Sequence, residues 1–341
     1  MKKNNELEIP MNIGMRGEYE LEVVDTLTGL TKYTKSNKNM ILDNAFRQII
    51  NSLNANFNYG CLASGNISGL FNNSADVACH IGTGGGETLS TMTQLENRVT
   101  SRTTTATGSL NSFLEKPYYA RRRFIFGAGA FVNTLREIGI GNNNTSGAYL
   151  HTRITIEPEL EVLATDELRV TWTIFYELPE NNTWSGTIVN GQRTGGDINW
   201  ALTISDVQVP TFFQNRLGNG NNDSGPFGNW GTSGPAFRFG ANNAPTESTD
   251  WNIKGSSLFS GSISDAFKEH EVVDEYPFSR AIEVGFEHNN PNNVQIAEMV
   301  VFGRTTYNAA NSFFRITFDP VLDKAEFFRL FLKYRLTLSR V

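Results

Sequence analysis

Apolar and polar residues alternate with a period of two over several stretches of the chain, a pattern that predicts strands. In the run 168–176, every second residue from Leu168 to Tyr176 is apolar or aromatic, and polar residues fill most positions between them. Shorter runs at 119–126, 134–139 and 152–156 also predict strands, and 17–35 predicts a hairpin that turns at 25–29. Helical spacing is clearest at Ala45, Phe46, Ile49, Ile50 and Leu53, with Asp43 as N-cap.

Part of this pattern occurs twice. The six residues from Arg153 to Pro158 recur in similar form from Arg315 to Pro320, 162 residues later (315 − 153). At the same offset, the alternating run 167–172 falls on 329–334. Weaker matches lie upstream in the same order, aligning Gly82, Arg123 and Glu137 with Gly240, Arg280 and Glu298. Several ordered matches indicate an internal duplication.

These patterns predict the fold class. We expect a mainly all-β protein of two tandem, related, antiparallel β-sandwich-like domains, with one short helix in the N-terminal half. The first domain is predicted over 1–178, a linker over 179–196 and the second domain over 197–341. The length of 341 residues agrees with two domains.

Composition and charge narrow the choice of partners. Charged residues make up 19% of the chain and the net charge is −6, without the wide basic face of a nucleic-acid binder. The densest basic cluster, Arg121 to Arg123, leads into an apolar strand, so we interpret Arg121 and Arg122 as a strand end or a subunit contact. No apolar run approaches the ~20 residues of a membrane span. Without a secretory segment, Cys61 and Cys79 are expected to be reduced and packed.

Candidate chemistry is sparse. The adjacent pair Cys79 and His80 would point to opposite faces of a strand, which disfavours a shared metal ion. The run Gly82–Gly86 lacks the lysine of a phosphate-binding loop and is expected to be a turn. The Asn/Asp-rich stretch 218–225 is expected to be a solvated loop, with a bound calcium ion as the alternative. We therefore predict no catalytic, cofactor-binding or metal-binding residues, and no cofactor.

Two glutamates could act as a pair of catalytic carboxylates. Glu137 and Glu298 occupy equivalent places in the two repeats, with one in each copy. That arrangement favours a repeated structural role, such as pairing with a nearby arginine, over glycosidase chemistry. We expect the protein not to be an enzyme.

A long Gly/Asn-rich stretch holds a group of aromatic residues. Phe212, Phe213, Phe227 and Trp230 lie in it. These side chains are expected to anchor the loop to its own domain or to a neighbouring subunit. The alternative is a sugar-binding platform, because aromatic rings combine apolar faces with polar edges.

The order of motifs in residues 14–178 resembles bacteriophage tail and tail-fibre virion proteins. The matching elements are Gly17 to Leu21, Asn39 to Asp43, Gly82 to Gly84, Arg123 to Phe126 and Glu137 to Gly139. The resemblance implies a virion component, assembled in the host cytoplasm, that packs with itself and with other tail proteins around a symmetry axis. We expect a tail or baseplate adaptor, or fibre-attachment subunit, with subunit contacts at 54–80 and 211–234. The alternative is a receptor- or carbohydrate-binding module.

Overall fold

The structure is a computed structural model in which fourteen parts of the chain are described. They are residues 6–52, 77–103, 105–143, 150–189, 196–204, 206, 209, 236–240, 257–261, 267–273, 275–286, 294–302, 312–324 and 330–341. Within these residues the chain forms eighteen strands, one α-helix and one 3-10 turn. The predicted fold class, mainly β with two related sandwich-like units and one helix, is confirmed.

The first half of the chain contains nine strands and the helix. The strands are β1 (Glu6–Asp25), β2 (Thr31–Ile41), β3 (Val77–Gly82), β4 (Arg98–Thr103), β5 (Thr105–Ser112), β6 (Tyr118–Phe126), β7 (Asn133–Asn142), β8 (Leu150–Val162) and β9 (Asp166–Glu177). The helix, α1 (Asp43–Ser52), lies between β2 and β3.

The second half contains the remaining nine strands after a 3-10 turn at Glu180–Asn182. They are β10 (Thr183–Ile188), β11 (Ile198–Thr203), β12 (Ala236–Gly240), β13 (Ser257–Gly261), β14 (Phe267–Val273), β15 (Phe278–Phe286), β16 (Val294–Phe302), β17 (Ser312–Lys324) and β18 (Leu330–Arg340).

These elements form two compact units that share the first strand. The N-terminal unit contains Gly14–Ser52, the described residues up to Glu177, and Ser339–Val341. The C-terminal unit contains residues 6–13 and the described part of Leu178–Leu338. Strand β1 therefore contributes its first residues to one unit and its remaining residues to the other. The division differs from the predicted linear boundaries because both chain ends cross into the other unit.

The N-terminal unit is one continuous sheet in the order β5-β6-β9-β1-β2-β8-β7-β3-β4. The C-terminal unit has β14-β15-β18-β1 on one side and β10-β11-β17-β16-β12-β13 on the other. In the N-terminal unit, the last strand β9 lies between part of β1 and the arginine-containing strand β6. In the C-terminal unit, the last strand β18 lies in the same way between part of β1 and the arginine-containing strand β15.

Strand register shows how closely the two units correspond. Glu137 on β7 lies opposite Thr155 on one side and Gly82 on the other. The equivalent Glu298 on β16 lies opposite Thr317 and Gly240. In both ladders the register shifts just before the glutamate. The units thus share pairing details as well as strand order.

One part of the predicted alignment is wrong. The sequence suggests that Arg123 corresponds to Arg280, but the pairing with the last strands gives another register. Trp172 lies opposite Arg122, whereas the equivalent Tyr334 lies opposite Ile282. Arg280 therefore corresponds to Ala120. The sequence alignment was wrong because it matched one arginine with another, although the two arginines occur at different points of their strands.

The spacing of apolar residues along each strand and helix determines which side chains are buried in the core. Along β6, buried residues alternate with half-buried ones, as the sequence pattern predicts. On α1, Ala45, Phe46, Ile49 and Ile50 are buried, which confirms these four positions of the predicted apolar helix face. Its fifth member, Leu53, lies outside the described residues. Burial of each large apolar side chain stabilises the fold by about 1.5–3 kcal/mol.

Three segments differ from the sequence expectations. Part of the predicted linker, 179–196, forms β10, which pairs along its length with β11. The first strand begins at Glu6 rather than near residue 17. Residues 77–80, expected to be irregular, belong to β3. The rest of 54–80 lies outside the described residues. So does most of 197–256, apart from β11, β12 and a few single residues.

Candidate functional site

A buried ion pair joins the neighbouring strands β7 and β8 of the N-terminal unit. Arg153 donates to Oε2 of Glu137 from Nε at 3.1 Å and from Nη2 at 2.9 Å. Both side chains are 0% exposed. The strand pairing brings them together, because Glu137 lies opposite Thr155, two residues along β8 from Arg153 on the same face.

The Glu137 carboxylate also holds the glycine-rich loop that follows β3. Backbone N–H groups of Gly84 and Asn97 donate to Oε1, and that of Glu96 donates to Oε2, over 2.8–3.1 Å. The carboxylate thus binds both the beginning and the end of the loop. Charge-assisted bonds of this kind are among the stronger hydrogen bonds in proteins.

Arg153 holds the middle of the same loop. Its Nη1 donates to the carbonyl oxygens of Gly86 and Glu87 and to the hydroxyl of Thr88, each at 3.1 Å. Thr155, two residues further along β8, donates its hydroxyl to the Gly86 carbonyl at 2.8 Å. The loop is therefore fixed by side chains of the two strands beneath it.

The burial and bonding of Glu137 limit the chemistry that its carboxylate can perform. A general acid or base must reach a substrate proton, but the Glu137 oxygens are buried and bonded to the loop and to Arg153. The amides of the loop bind that carboxylate, in the manner in which other glycine loops bind phosphate. A side chain at Gly82 would place Cβ 2.6 Å from Oε1 of Glu137 and 2.4 Å from the Asn97 carbonyl, so glycine is required there.

The same ion pair occurs in the C-terminal unit. Arg315 on β17 donates from Nε to Oε2 of Glu298 on β16 at 2.6 Å, and both side chains are almost fully buried. The predicted pairing of each glutamate with a nearby arginine is confirmed in both units. The arginine of each pair is the first residue of the repeated Arg-Ile-Thr motif.

The two predicted contact arginines lie in different environments. Arg122 is buried, and its Nη1 donates to the Arg121 carbonyl at 2.7 Å. Burial lowers the pKa of Arg122 to about 10, and the charge of Arg122 partly offsets the raised pKa of Tyr176. Arg122 is therefore part of the core. Arg122 falls in the same alternating set of positions as Ala120 and Phe124, and this pattern in the sequence could have revealed that Arg122 is buried.

Arg121 points to the other side of β6 and is half-buried. Its Nε donates to the Thr173 hydroxyl at 3.3 Å, and its guanidinium lies 5.2 Å from the centre of the Tyr119 ring. Phe212, Phe213, Phe227 and Trp230 lie outside the described residues. The structure thus does not bring the predicted interaction residues together within the part that it describes.

Two buried histidines lie close to each other near the start of β8. Arg98 donates to Nδ1 of His80 at 3.2 Å, so the Nε2–H of His80 donates to the Asn142 carbonyl at 2.8 Å. Burial lowers the pKa of His80 to about 4 and that of His151 to about 3. Both imidazoles are consequently neutral at pH 7.

Metal-ligating side chains are not clustered in the described residues: no group of three or more His, Cys, Asp or Glu side chains meets there. Cys79 is a free, buried thiol whose pKa is raised by burial, and Cys61 lies outside the described residues. Among the described helices, none has the length and apolar character that a membrane span requires.

Comparison with protein-family models, with curated proteins and with solved structures found no match for this chain.

Proposed function

We propose that this protein is a structural component of a bacteriophage virion, not an enzyme. It acts in the tail or baseplate as an adaptor or fibre-attachment subunit, in several copies around a symmetry axis. The resemblance of its motif order to tail and tail-fibre proteins supports the viral assignment. Its neighbours would be further copies of itself and other tail proteins, and its location the virion, after assembly in the host cytoplasm.

The observation that carries the structural role is the repeated Glu–Arg pair. In each unit, the acidic residue best placed for chemistry is bonded to a buried arginine. In the N-terminal unit the pair also fixes a fifteen-residue loop, 83–97, against the sheet. Duplicated rigid sandwiches with fixed loops suit a subunit that must hold its shape in an assembly.

Mass spectrometry of purified particles tests the proposal. We expect peptides of this chain in particles of the phage that carries its gene, at a constant ratio to other tail proteins after density-gradient purification. Particles from an infection with a stop codon in the gene should lack fibres or complete tails. A chain absent from purified virions would refute the proposal.

A receptor- or carbohydrate-binding module is the alternative. Its candidate platform, Phe212, Phe227, Trp230 and Trp251, lies outside the described residues. A glycan array on the isolated protein separates the two functions. Reproducible sugar binding that is lost in Trp230→Ala would favour the binding module, whereas a subunit with a purely structural role shows none.

A further inference from the structure

Strand β2 of the N-terminal unit corresponds to strand β11 of the C-terminal unit. Met40 of β2 lies opposite Arg153, and Thr203 of β11 lies opposite Arg315 in the same way. Both strands continue the sheet in the same order, β2 to β8 and β7 in one unit and β11 to β17 and β16 in the other. The residues that precede Met40 therefore correspond one by one to those that precede Thr203.

The core-facing side of these two strands carries different residues. On β11 this side holds three buried apolar residues, Ile198, Trp200 and Leu202. The corresponding residues of β2, at the same distances before Met40, are Lys35, Asn37 and Asn39. Each of these is at least partly exposed, although Tyr19, which lies opposite Asn37 on β1, is buried. Polar residues thus replace core residues on this part of β2.

A groove opens where β2 separates from β8. The ladder between β11 and β17 extends from Thr203 to Asn199, whereas the ladder between β2 and β8 contains only Met40 and Ile41 of β2. The groove has a volume of about 540 Å³, within the range of clefts that bind small molecules. Its lining includes the three polar residues of β2, part of β8 and Tyr19 of β1.

One wall of the groove is fixed by hydrogen bonds. Thr88, in the loop that follows β3, lines the groove, and its hydroxyl accepts a bond from Arg153 at 3.1 Å. Thr155 lines the groove as well and donates to the Gly86 carbonyl at 2.8 Å. A wall that is ordered before a ligand arrives lowers the entropic cost of binding.

The amide of Asn39 fits against β1 because the residue opposite it is glycine. A Cβ at Gly17 would collide with Oδ1 of Asn39. This oxygen is buried and accepts no hydrogen bond within the part of the chain that the structure describes. A buried polar atom without a partner costs free energy, so a ligand to which the amide can turn and bond is favoured at this point.

The charged side chains of the lining balance one another. Besides Arg153, which is bonded to Glu137, they are two lysines and two glutamates: Lys35, Lys38, Glu87 and Glu157. An anion would require an excess of positive charge. Neutral donors and acceptors come from the side chains of Asn37, Asn39, Thr88 and Thr155, and apolar surface comes from Tyr19, Met40 and Ile154. This mixture suits a sugar, whose hydroxyl groups both donate and accept and whose ring carbons are apolar.

We propose that this groove binds a neutral oligosaccharide. Nδ2 of Asn37 donates to one sugar hydroxyl, since Oδ1 of that residue already accepts from the Lys38 N–H at 2.8 Å. The Asn39 amide bonds a second hydroxyl, and the ring carbons pack against Tyr19 and Ile154. The site uses none of the aromatic residues of 211–234 and does not rest on the proposed function, to which it adds a binding activity.

A glycan array on the full chain is the first test. The protein should bind neutral oligosaccharides in preference to sialylated or sulfated ones. Isothermal titration of the best-bound neutral oligosaccharide should give affinities within about twofold at about 50 mM and about 500 mM NaCl, because salt screens charged ligands. An array without a bound neutral glycan, or an affinity that falls about tenfold at high salt, would overturn the proposal.

Matched double variants on the two sides of β2 locate the site. Asn37→Leu with Asn39→Leu removes both amides, and affinity should fall at least about tenfold because each lost net hydrogen bond weakens binding about fivefold. Thr34→Leu with Ser36→Leu changes two exposed residues that do not line the groove and should leave affinity within about twofold. Far-ultraviolet circular dichroism checks that both variants fold. Equal affinities of the two variants would refute the site.

A measurement on the unchanged protein keeps the proposal testable if the leucine variants misfold. Hydrogen exchange with and without the bound oligosaccharide should show added protection at 35–40 and at 86–88. Protection confined to other segments would contradict the groove. Trp230→Ala separates this site from the aromatic group, since it should leave affinity unchanged; loss of binding in Trp230→Ala would assign the sugar to that group instead.

Discussion

Arg153 and Glu137 form a doubly hydrogen-bonded ion pair from which solvent is fully excluded, and the same carboxylate accepts three backbone N–H groups of one loop. Removal of one member leaves the other charge buried. We expect Glu137→Gln to lower the free energy of unfolding by about 3–5 kcal/mol, measured by urea denaturation.

The matched control is the exposed pair of Arg136 and Glu159, in which both side chains are about half exposed. Arg136→Gln should cost no more than about 1 kcal/mol. A Glu137→Gln variant no less stable than Arg136→Gln would contradict the role assigned to the buried pair. A double-mutant cycle with Arg153→Met measures the coupling between Glu137 and Arg153 directly.

Gly82 should tolerate no side chain. Because Cβ would lie 2.4 Å from the Asn97 carbonyl, Gly82→Ala must shift the loop backbone and should destabilise the protein by about 1–3 kcal/mol. Gly127→Ala is the control, since nothing lies within 4 Å of its Cβ, and its effect should be below about 1 kcal/mol. Thermal denaturation compares the two, and equal stability would count against the close packing of the loop.

Stability should rise with pH between about pH 4 and pH 6.5 because of the buried histidines. In that window the unfolded state binds protons that folded His80 and His151 do not, since burial lowers their pKa values to about 4 and about 3. Each contributes a slope of about 1.4 kcal/mol per pH unit, which vanishes above the unfolded pKa near 6.5.

His80→Gln tests this dependence. The Gln side chain can still donate to the Asn142 carbonyl, but it does not titrate. The slope of unfolding free energy between pH 4.5 and pH 6 should therefore fall by about 1.4 kcal/mol per pH unit. An unchanged slope would show that His80 does not contribute to it.

The N-terminal segment should stabilise the C-terminal unit. Ile9, Met11 and Ile13 are fully buried, and the Trp184 indole donates to the Asn12 carbonyl at 2.9 Å. Met11→Ala should cost about 2–5 kcal/mol and should lower hydrogen-exchange protection in β15 and β18. Hydrogen-exchange protection of β6 and β9 should be retained. A loss of protection confined to β6 and β9 would contradict the assignment of residues 6–13 to the C-terminal unit.

The sequence predicts the regular elements well where the period is unbroken. The alternating run of β9 and the apolar face of α1 were recognised because each element keeps one side in the core. The start of β1 was missed because Pro10 interrupts an otherwise alternating run, and proline weakens a strand prediction. β10 was missed because Gly186 and the polar residues around it look like a linker.

The candidate site was predictable in part. The position of Glu137 and Glu298 in the repeat indicated a pair with arginine, and the repeated Arg-Ile-Thr motif supplies that arginine. The bonds from Glu137 to the loop amides could not be foreseen, because they depend on the path of residues 83–97 above the sheet.

The sharing of β1 also sets an order for synthesis on the ribosome. Residues 6–13 are made before the other described residues, yet β18, the strand beside them, is made more than 300 residues later (330 − 13). Until then their apolar side chains lack the core that buries them in the finished protein. A chain that stops before β18 therefore completes neither unit, because Ser339–Val341 belong to the N-terminal one. Truncated products should remain recognisable to chaperones and proteases and stay out of any assembly.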